Sequence, residues 1–341
     1  MEKVKWGFIG CGQVVQKKSG KAFNDVPHSC VHAIMRRNLV SAEESAKMFG
    51  AKKWYSSVSE IVNSDVDALY IATPPGLHFE QALACCEAGK PVYIEKPLAR
   101  NYSEAKAMVE AFKLKNIPLF VGHHKRALPR FVYIKGVLDA GEIGKITSVQ
   151  SYLNRLFSRK EAKDTWLYNP RLSGGGKFYD IAAHSIDIIS FLFGEISEVH
   201  GFASNNGTEC PLEDTVAFAY KTTKGVLGTA NYNCISNKKN DRVYVHGTKG
   251  EIEFSVHGEN DVIITSYGSG EKRTLTINDP ESIEYSMVEN VVEALINHGN
   301  GICMGEDALP TYWVIDEILD EFYNGRQRNF WVDYESRGIP Q

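Results

Sequence analysis

The stretch Val4-Lys5-Trp6-Gly7-Phe8-Ile9-Gly10-Cys11-Gly12 carries a largely apolar run straight into two closely spaced glycines. Read as a strand over Val4–Ile9, it delivers the chain to a turn at Gly10-Cys11-Gly12 and then to a helix from Gln13. A strand, a glycine turn and a helix in that order form the front half of a dinucleotide-binding turn. Glycine lets backbone N–H groups approach a pyrophosphate at the helix N-terminus. Gly10, Gly12, Gln13 and Val14 are therefore the first candidate binding positions. Val15 stands where a third small residue is usual, so the first helix is expected to sit differently against the strand.

Outward from this stretch the pattern alternates. Strands are expected at residues 30–35, 67–72, 91–94 and 118–121, with helices at 41–49, 77–88 and from Ser103 to 115. Such alternation signals βαβ units and a parallel sheet. Beyond residue 122 the rhythm changes. A helix at 129–140, a long strand at 145–157 and a loop at 158–176 lead to an apolar helix ending near 193. From 196 to 277, strands follow one another with only turns between, as an antiparallel sheet requires. Helices near 283–297 and 306–323 close the pattern. The expectation is an α/β protein with a dinucleotide-binding domain over 1–121 and a second domain over 122–341 that carries the antiparallel strands.

Composition bounds the function classes. The 341 residues, 43% hydrophobic and 23% charged, fit a globular protein of two domains. The net charge of −4 offers no bulk attraction to nucleic acid or an anionic membrane. No apolar run reaches the roughly 18–20 residues of a membrane span. The seven cysteines are odd in number and lack any CxxC pair, which suggests neither a disulfide framework nor a metal knuckle. With no secretory pattern at the N-terminus, a cytoplasmic protein is expected.

The end of the second strand selects the nucleotide. An Asp or Glu there would bond a ribose 2′-hydroxyl, but this chain has Arg36-Arg37-Asn38. Guanidinium groups bind a 2′-phosphate through paired charge-assisted hydrogen bonds, so NADP(H) is expected, with NAD(H) as the alternative. In the second half, Asp180, His184 and Asp187 fall within roughly 60° of one another at about 100° per residue. Apolar residues cover most of the remaining circumference, so the polar stripe is expected to line a cleft. A histidine one turn from a carboxylate is an acid–base pair. Lys96 follows a parallel strand, at the sheet edge where open α/β folds bind ligands.

Together these segments resemble the Gfo/Idh/MocA oxidoreductase family, which includes glucose–fructose oxidoreductase and inositol dehydrogenases. The resemblance runs along nearly the whole chain. It rests on Gly7-Phe8-Ile9-Gly10-Cys11-Gly12, Ala72-Thr73-Pro74-Pro75-Gly76-Leu77-His78 and Glu95-Lys96-Pro97-Leu98-Ala99. Gly174-Gly175-Gly176 followed by Asp180, His184 and Asp187, then His246-Gly247-Thr248-Lys249-Gly250 and Gly305-Glu306-Asp307-Ala308, complete it. The resemblance implies a Rossmann domain followed by a substrate-binding α/β domain with a large open, mostly antiparallel sheet. It also implies hydride transfer between a nicotinamide and a carbonyl or hydroxyl carbon of a sugar, polyol or related molecule.

In that reading His184 is the principal proton donor or acceptor, Lys96 stabilises the developing alkoxide, and Asp180 orients the site. Thr73, Pro74, His78 and Glu95 border the nicotinamide ribose. The stretch His123-His124-Lys125-Arg126 is similar to that of 1,5-anhydrofructose reductases, which use NADPH. It makes His123, His124 and Arg126 substrate candidates, with Trp166 and Asp187. Leu167 replaces the Arg common after that tryptophan, which leaves unassigned the contact such an Arg would make. No metal is expected. A homodimer or homotetramer through the open sheet is expected. Alternatives on the same fold are an NAD-dependent sugar dehydrogenase, a dihydrodiol or tetrapyrrole reductase, and a nucleotide-sensing regulator without catalysis.

Overall fold

In a computed structural model, residues 2–157, 166–207, 212–326 and 330–331 are described. Positions 158–165 of the expected loop, and Cys210, lie outside the described residues. The chain forms two compact units, Met1–Leu128 with Pro280–Leu309, and Pro129–Asp279 with Pro310–Gln341. The sequence pattern places one cut near residue 122. The units instead divide after Leu128, and the segment from Pro280 returns to the first unit.

The first unit is built on six strands: β1 (Val4–Ile9), β2 (Ser29–Met35), β3 (Lys53–Tyr55), β4 (Ala68–Ile71), β5 (Val92–Ile94) and β6 (Leu119–Val121). All pair in parallel, in the order β3-β2-β1-β4-β5-β6, the doubly wound arrangement of a dinucleotide-binding fold. Strands β4 and β5 are buried at every residue, because helices cover both faces of such a sheet. The helices are α1 (Ala22–Asp25), α2 (Leu39–Phe49), α3 (Val58–Val62), α4 (His78–Glu87) and α5 (Tyr102–Leu114).

Three local differences from the sequence pattern have physical causes. The strand β3 and helix α3 are too short to show a period, although Ser57 and Glu60 form a complete capping box at α3. Helix α5 starts at Tyr102, because Asn101 caps it by accepting from Glu104 N at 2.9 Å. After the glycine turn, Val15–Ser19 winds as a π-helix, closed by Gly20 N donating to Val15 O at 2.8 Å. Val15 itself is buried.

The second unit begins with α6 (Pro129–Asp139). It contains β7 (Ile146–Asn154), the short α7 (Pro170–Ser173) and the long α8 (Lys177–Phe193). The strands β8 (Ile196–Ser204), β9 (Thr215–Thr222), β10 (Leu227–Asn233), β11 (Asn240–Gly247), β12 (Gly250–Phe254), β13 (Asp261–Ser266) and β14 (Lys272–Thr276) follow. The eight strands form one sheet in the order β14-β13-β12-β11-β7-β10-β9-β8. It is antiparallel except where β10 runs parallel to β7. Burial alternates along β9 and β11, as expected of a sheet packed on one face and open on the other. Helix α8 covers the packed face: the Phe178 ring centroid lies 5.2 Å from that of Tyr232 and 6.4 Å from that of Phe218.

Two further helices are α9 (Tyr285–Asn297) and α10 (Gly305–Tyr323). Helix α9 packs on α1, on β1 and on the turn His124–Ala127, all within the first unit. The division between units falls between Leu309 and Pro310, inside α10. No helix among the described residues is long and apolar enough to cross a membrane.

Candidate active site

In the first unit, the carboxyl ends of the parallel strands bring four turns to one edge of the sheet. Gly10, after β1, has φ of +88°, and a Cβ there would stand 2.8 Å from Thr73 Cγ2 and 2.9 Å from Ala72 O. Its glycine is demanded by the fold. Gly12 differs: no atom lies within 4 Å of where its Cβ would be. Gly12, Gln13 and Val14 are all exposed. The fold leaves room for a side chain at Gly12, and a cofactor phosphate approaching the backbone would not. The turn thus fits a dinucleotide.

Arg36 follows β2. Its Nη1 donates to Ser45 Oγ at 3.1 Å and to Ser41 O at 3.4 Å, which fixes the guanidinium against α2. Arg37 is exposed, and Asn38 spends its side-chain oxygen capping α2 through Ser41 N. After β4, Thr73 and Pro74 are half-buried, and Thr73 Oγ1 donates to Gln81 Oε1 at 2.6 Å. His78 has no exposed surface. Its Nε2 lies 2.8 Å from Thr73 O and its Nδ1 3.0 Å from Pro97 O, so the ring ties the turn after β4 to the turn after β5. Burial pushes its pKa down to about 4. In this unit His78 is a clamp between two loops.

Glu95 and Lys96 follow β5 and are half-buried, and the Lys96–Pro97 peptide is cis. Tyr70 Oη donates to Glu95 Oε1 at 2.5 Å and lies 2.9 Å from Ser19 Oγ. From the returning segment comes the buried Glu284, whose Oε2 accepts from Tyr93 Oη at 2.8 Å. His124 Nδ1 lies 2.7 Å from Glu284 Oε1. The Tyr70 and Tyr93 rings stack with centroids 5.3 Å apart. Burial first, then the Glu284 charge, pushes the Glu95 carboxyl up to about 7. Burial would also raise Glu284, but His124, the Tyr93 hydroxyl and Lys96 outweigh it and bring that carboxyl below its ordinary value. His123 is completely buried, and Arg126 donates from Nη2 to Asp307 O at 3.0 Å.

In the second unit, α8 carries the other candidates. Lys177, Asp180 and His184 stand at i, i+3 and i+7, on one helix face. Lys177 Nζ lies 3.8 Å from Asp180 Oδ2 and 5.3 Å from the Phe157 ring centroid. His184 is 7% exposed and meets the His257 ring edge-on at 6.0 Å. Asp187 has no exposed surface, whereas Trp166 is 39% exposed on a short turn.

The buried Glu213 locks the start of this helix. It accepts from Gly176 N at 2.8 Å and from Tyr179 N at 3.0 Å, and the Tyr323 hydroxyl donates to it. The glycine triplet permits this approach, since a Cβ on Gly176 would collide with Glu213 O. Among the described residues, no cluster of three or more His, Cys, Asp or Glu side chains is placed to hold a metal ion.

Sequence reasoning did not single out Lys177, Glu213 or Glu284. Lys177 shares the helical spacing of Asp180 and His184, which could have found it. Glu213 and Glu284 are remote in sequence from the groups they touch.

Residues 4–123 match "Oxidoreductase family, NAD-binding Rossmann fold", and residues 131–253 match "GFO/IDH/MocA C-terminal domain". Oxidoreductase P35 of Formosa agariphila is 32% identical over 326 residues, covering 94% of this chain and 98% of that one.

The chain belongs to the Gfo/Idh/MocA family.

As a Gfo/Idh/MocA protein it is an NAD(P)-dependent oxidoreductase acting on CH–OH or C=O groups. Also similar is 1,5-anhydro-D-fructose reductase of Ensifer adhaerens, 26% identical over 89% of this chain and 92% of its own. The fold matches that of a levoglucosan dehydrogenase in complex with NADH and levoglucosan. The TM-score is 0.86 at 24% identity, over 94% of this chain and 98% of that one.

The two glycines of this Gfo/Idh/MocA turn should separate on mutation. Gly10→Ala is expected to cost about 1–3 kcal/mol in chemical denaturation, the usual cost of a strained backbone position. Gly12→Ala should leave stability within about 0.5 kcal/mol of wild type. It should weaken dinucleotide binding ~10-fold or more in titration calorimetry, equivalent to about 1.4 kcal/mol.

Proposed function

We propose that this protein is an NADP(H)-preferring oxidoreductase that interconverts a carbonyl and a hydroxyl on a sugar, polyol or similar small molecule. The observation that carries the reading is the shared edge of the parallel sheet. There the exposed Gly12–Val14 turn, Arg36 with Arg37, Thr73 with Pro74, and Lys96 follow β1, β2, β4 and β5. The names of the relatives, with levoglucosan in one and 1,5-anhydro-D-fructose in another, support a carbohydrate-like substrate. When bound, the nicotinamide supplies or accepts the hydride.

The protein's own groups handle the proton. His184 donates to or accepts from the substrate oxygen, Lys96 stabilises the alkoxide as charge develops, and Asp180 orients the site. His123, His124, Arg126, Trp166 and Asp187 are the remaining substrate candidates of this reading, although Asp187 and His123 are completely buried. The odd number of scattered cysteines, with no CxxC pair in the sequence, supports a reducing, cytoplasmic setting.

A second reading, NAD(H) as cofactor, is favoured by the NADH in the levoglucosan dehydrogenase complex. The strand-end chemistry favours NADP(H), since no carboxylate occupies Arg36-Arg37-Asn38 and the Arg36 guanidinium is already fixed by Ser45. A screen of sugar carbonyls and polyols with NADPH and NADH side by side separates the two. Arg36→Ala should weaken NADP(H) far more than NAD(H), and equal loss for both would overturn the phosphate role. Lys96→Ala or His184→Ala should each lower turnover ~10²–10⁴-fold with dinucleotide affinity retained. Unchanged turnover in both variants would remove the mechanism.

The open face of the second unit's sheet supports a homodimer or homotetramer. Phe202 on β8, Leu227 on β10 and Tyr152 on β7 are 77%, 58% and 38% exposed. Light scattering coupled to size exclusion should give two or four chains. A monomer would contradict it.

A further inference from the structure

One buried acid has no task in the proton transfer. Glu284 is far from the family motifs in sequence, yet it reaches the strand β5 within the first unit. Tyr93 donates to it at 2.8 Å, and His124 Nδ1 lies 2.7 Å from its other oxygen. The second carboxyl of the cluster, Glu95, accepts from the Tyr70 hydroxyl at 2.5 Å. The Lys96 charge acts on both acids. The groups facing the pair are thus Tyr70 from β4, Tyr93 from β5, Lys96 from the turn, and His124 from the segment after β6.

We propose that Glu284 is a positioning residue for Lys96: by taking Tyr93 and His124 to itself it holds the negative charge of the pair and leaves the exchangeable proton on Glu95. The assignment rests on the functional reading in which Lys96 is the lysine of the reacting centre. Two like charges in one poorly solvated site do not ionise independently. The asymmetry of partners decides which one does. The His124 imidazole and the Tyr93 phenol both meet Glu284, whereas the Tyr70 phenol meets Glu95, and the His124 and Lys96 charges act on both acids.

Lys96 feels the difference. With Glu95 neutral, the ammonium faces one carboxylate charge. With Glu95 ionised it faces two, which offset more of the positive charge that it turns to a developing alkoxide. Rising pH through the Glu95 titration therefore lowers carbonyl reduction. Stability moves the same way. A carboxyl raised in the folded state adds stability that is fully present below the unfolded carboxyl pKa, about 4.3, and is lost as pH rises through about 7.

The test uses the full chain without cofactor, labelled with carbon-13 at glutamate side-chain carboxyls and titrated by NMR. One glutamate should titrate near pH 7 in wild type, and that signal should be missing in Glu95→Gln. In Glu284→Gln its midpoint should fall by about one unit or more. Should that variant not fold, Tyr93→Phe makes the smaller change of removing one hydrogen bond to Glu284, and its midpoint should also fall. A near-neutral signal that survives in Glu95→Gln overturns the proposal, as does an unmoved midpoint in the Glu284 or Tyr93 variant.

Turnover supplies a second readout. The alkaline loss of kcat should shift to lower pH in Tyr93→Phe, which keeps both carboxyls, with the dinucleotide KM unchanged. It should be absent in Glu284→Gln, where Lys96 faces at most one carboxylate. A purely structural role would lower kcat at every pH and leave the profile in place, which would also overturn the proposal. Absence of any turnover in wild type would defeat the functional reading and leave the carboxyl titration to decide the role of Glu284 by itself.

Discussion

Because β1 through β6 all run one way, each strand-to-helix turn of the first unit opens at the same edge of the sheet. The turns after Ile9, Met35, Ile71 and Ile94 become neighbours by topology alone. His78 then ties two of them together through Thr73 O and Pro97 O. An antiparallel sheet would send alternate turns to opposite edges and could not assemble this row.

The second unit solves a different problem, which is to hold a polar helix face steady on an apolar body. Helix α8 buries Phe178 against Tyr232 and Phe218, so its rotation about its own axis is fixed by packing. Glu213 fixes its start by meeting the N–H groups of Gly176 and Tyr179, where the helix dipole favours a negative charge. Asp180 and His184 inherit their direction from both.

Much of this was legible in the sequence because it is local. The strand β1, the glycine turn, the loop at Glu95-Lys96-Pro97 and the Asp180–His184 spacing are all patterns within a few residues, and the structure keeps them. What was not legible depends on distant partners. Nothing near Glu284 signals that it meets Tyr93, and nothing near Glu213 signals that it caps α8. Arg126 and His124 are substrate candidates through the likeness of their stretch to 1,5-anhydrofructose reductases. The structure gives Arg126 to the carbonyl of Asp307 and sets His124 beside Glu284. Asp187 shares the helical stripe of His184 yet has no exposed surface, since a stripe drawn from angle alone does not say how deep the helix is buried.

Because Pro280–Leu309 returns to the first unit, that unit is finished late in synthesis. A ribosome releases the six parallel strands early, but the residues that complete their surroundings emerge only after the whole second sheet. Until then, the parts of α1 and β1 that α9 covers stay open. The first unit cannot close on itself as a continuous domain would, and its late closure makes its folding a long-range event.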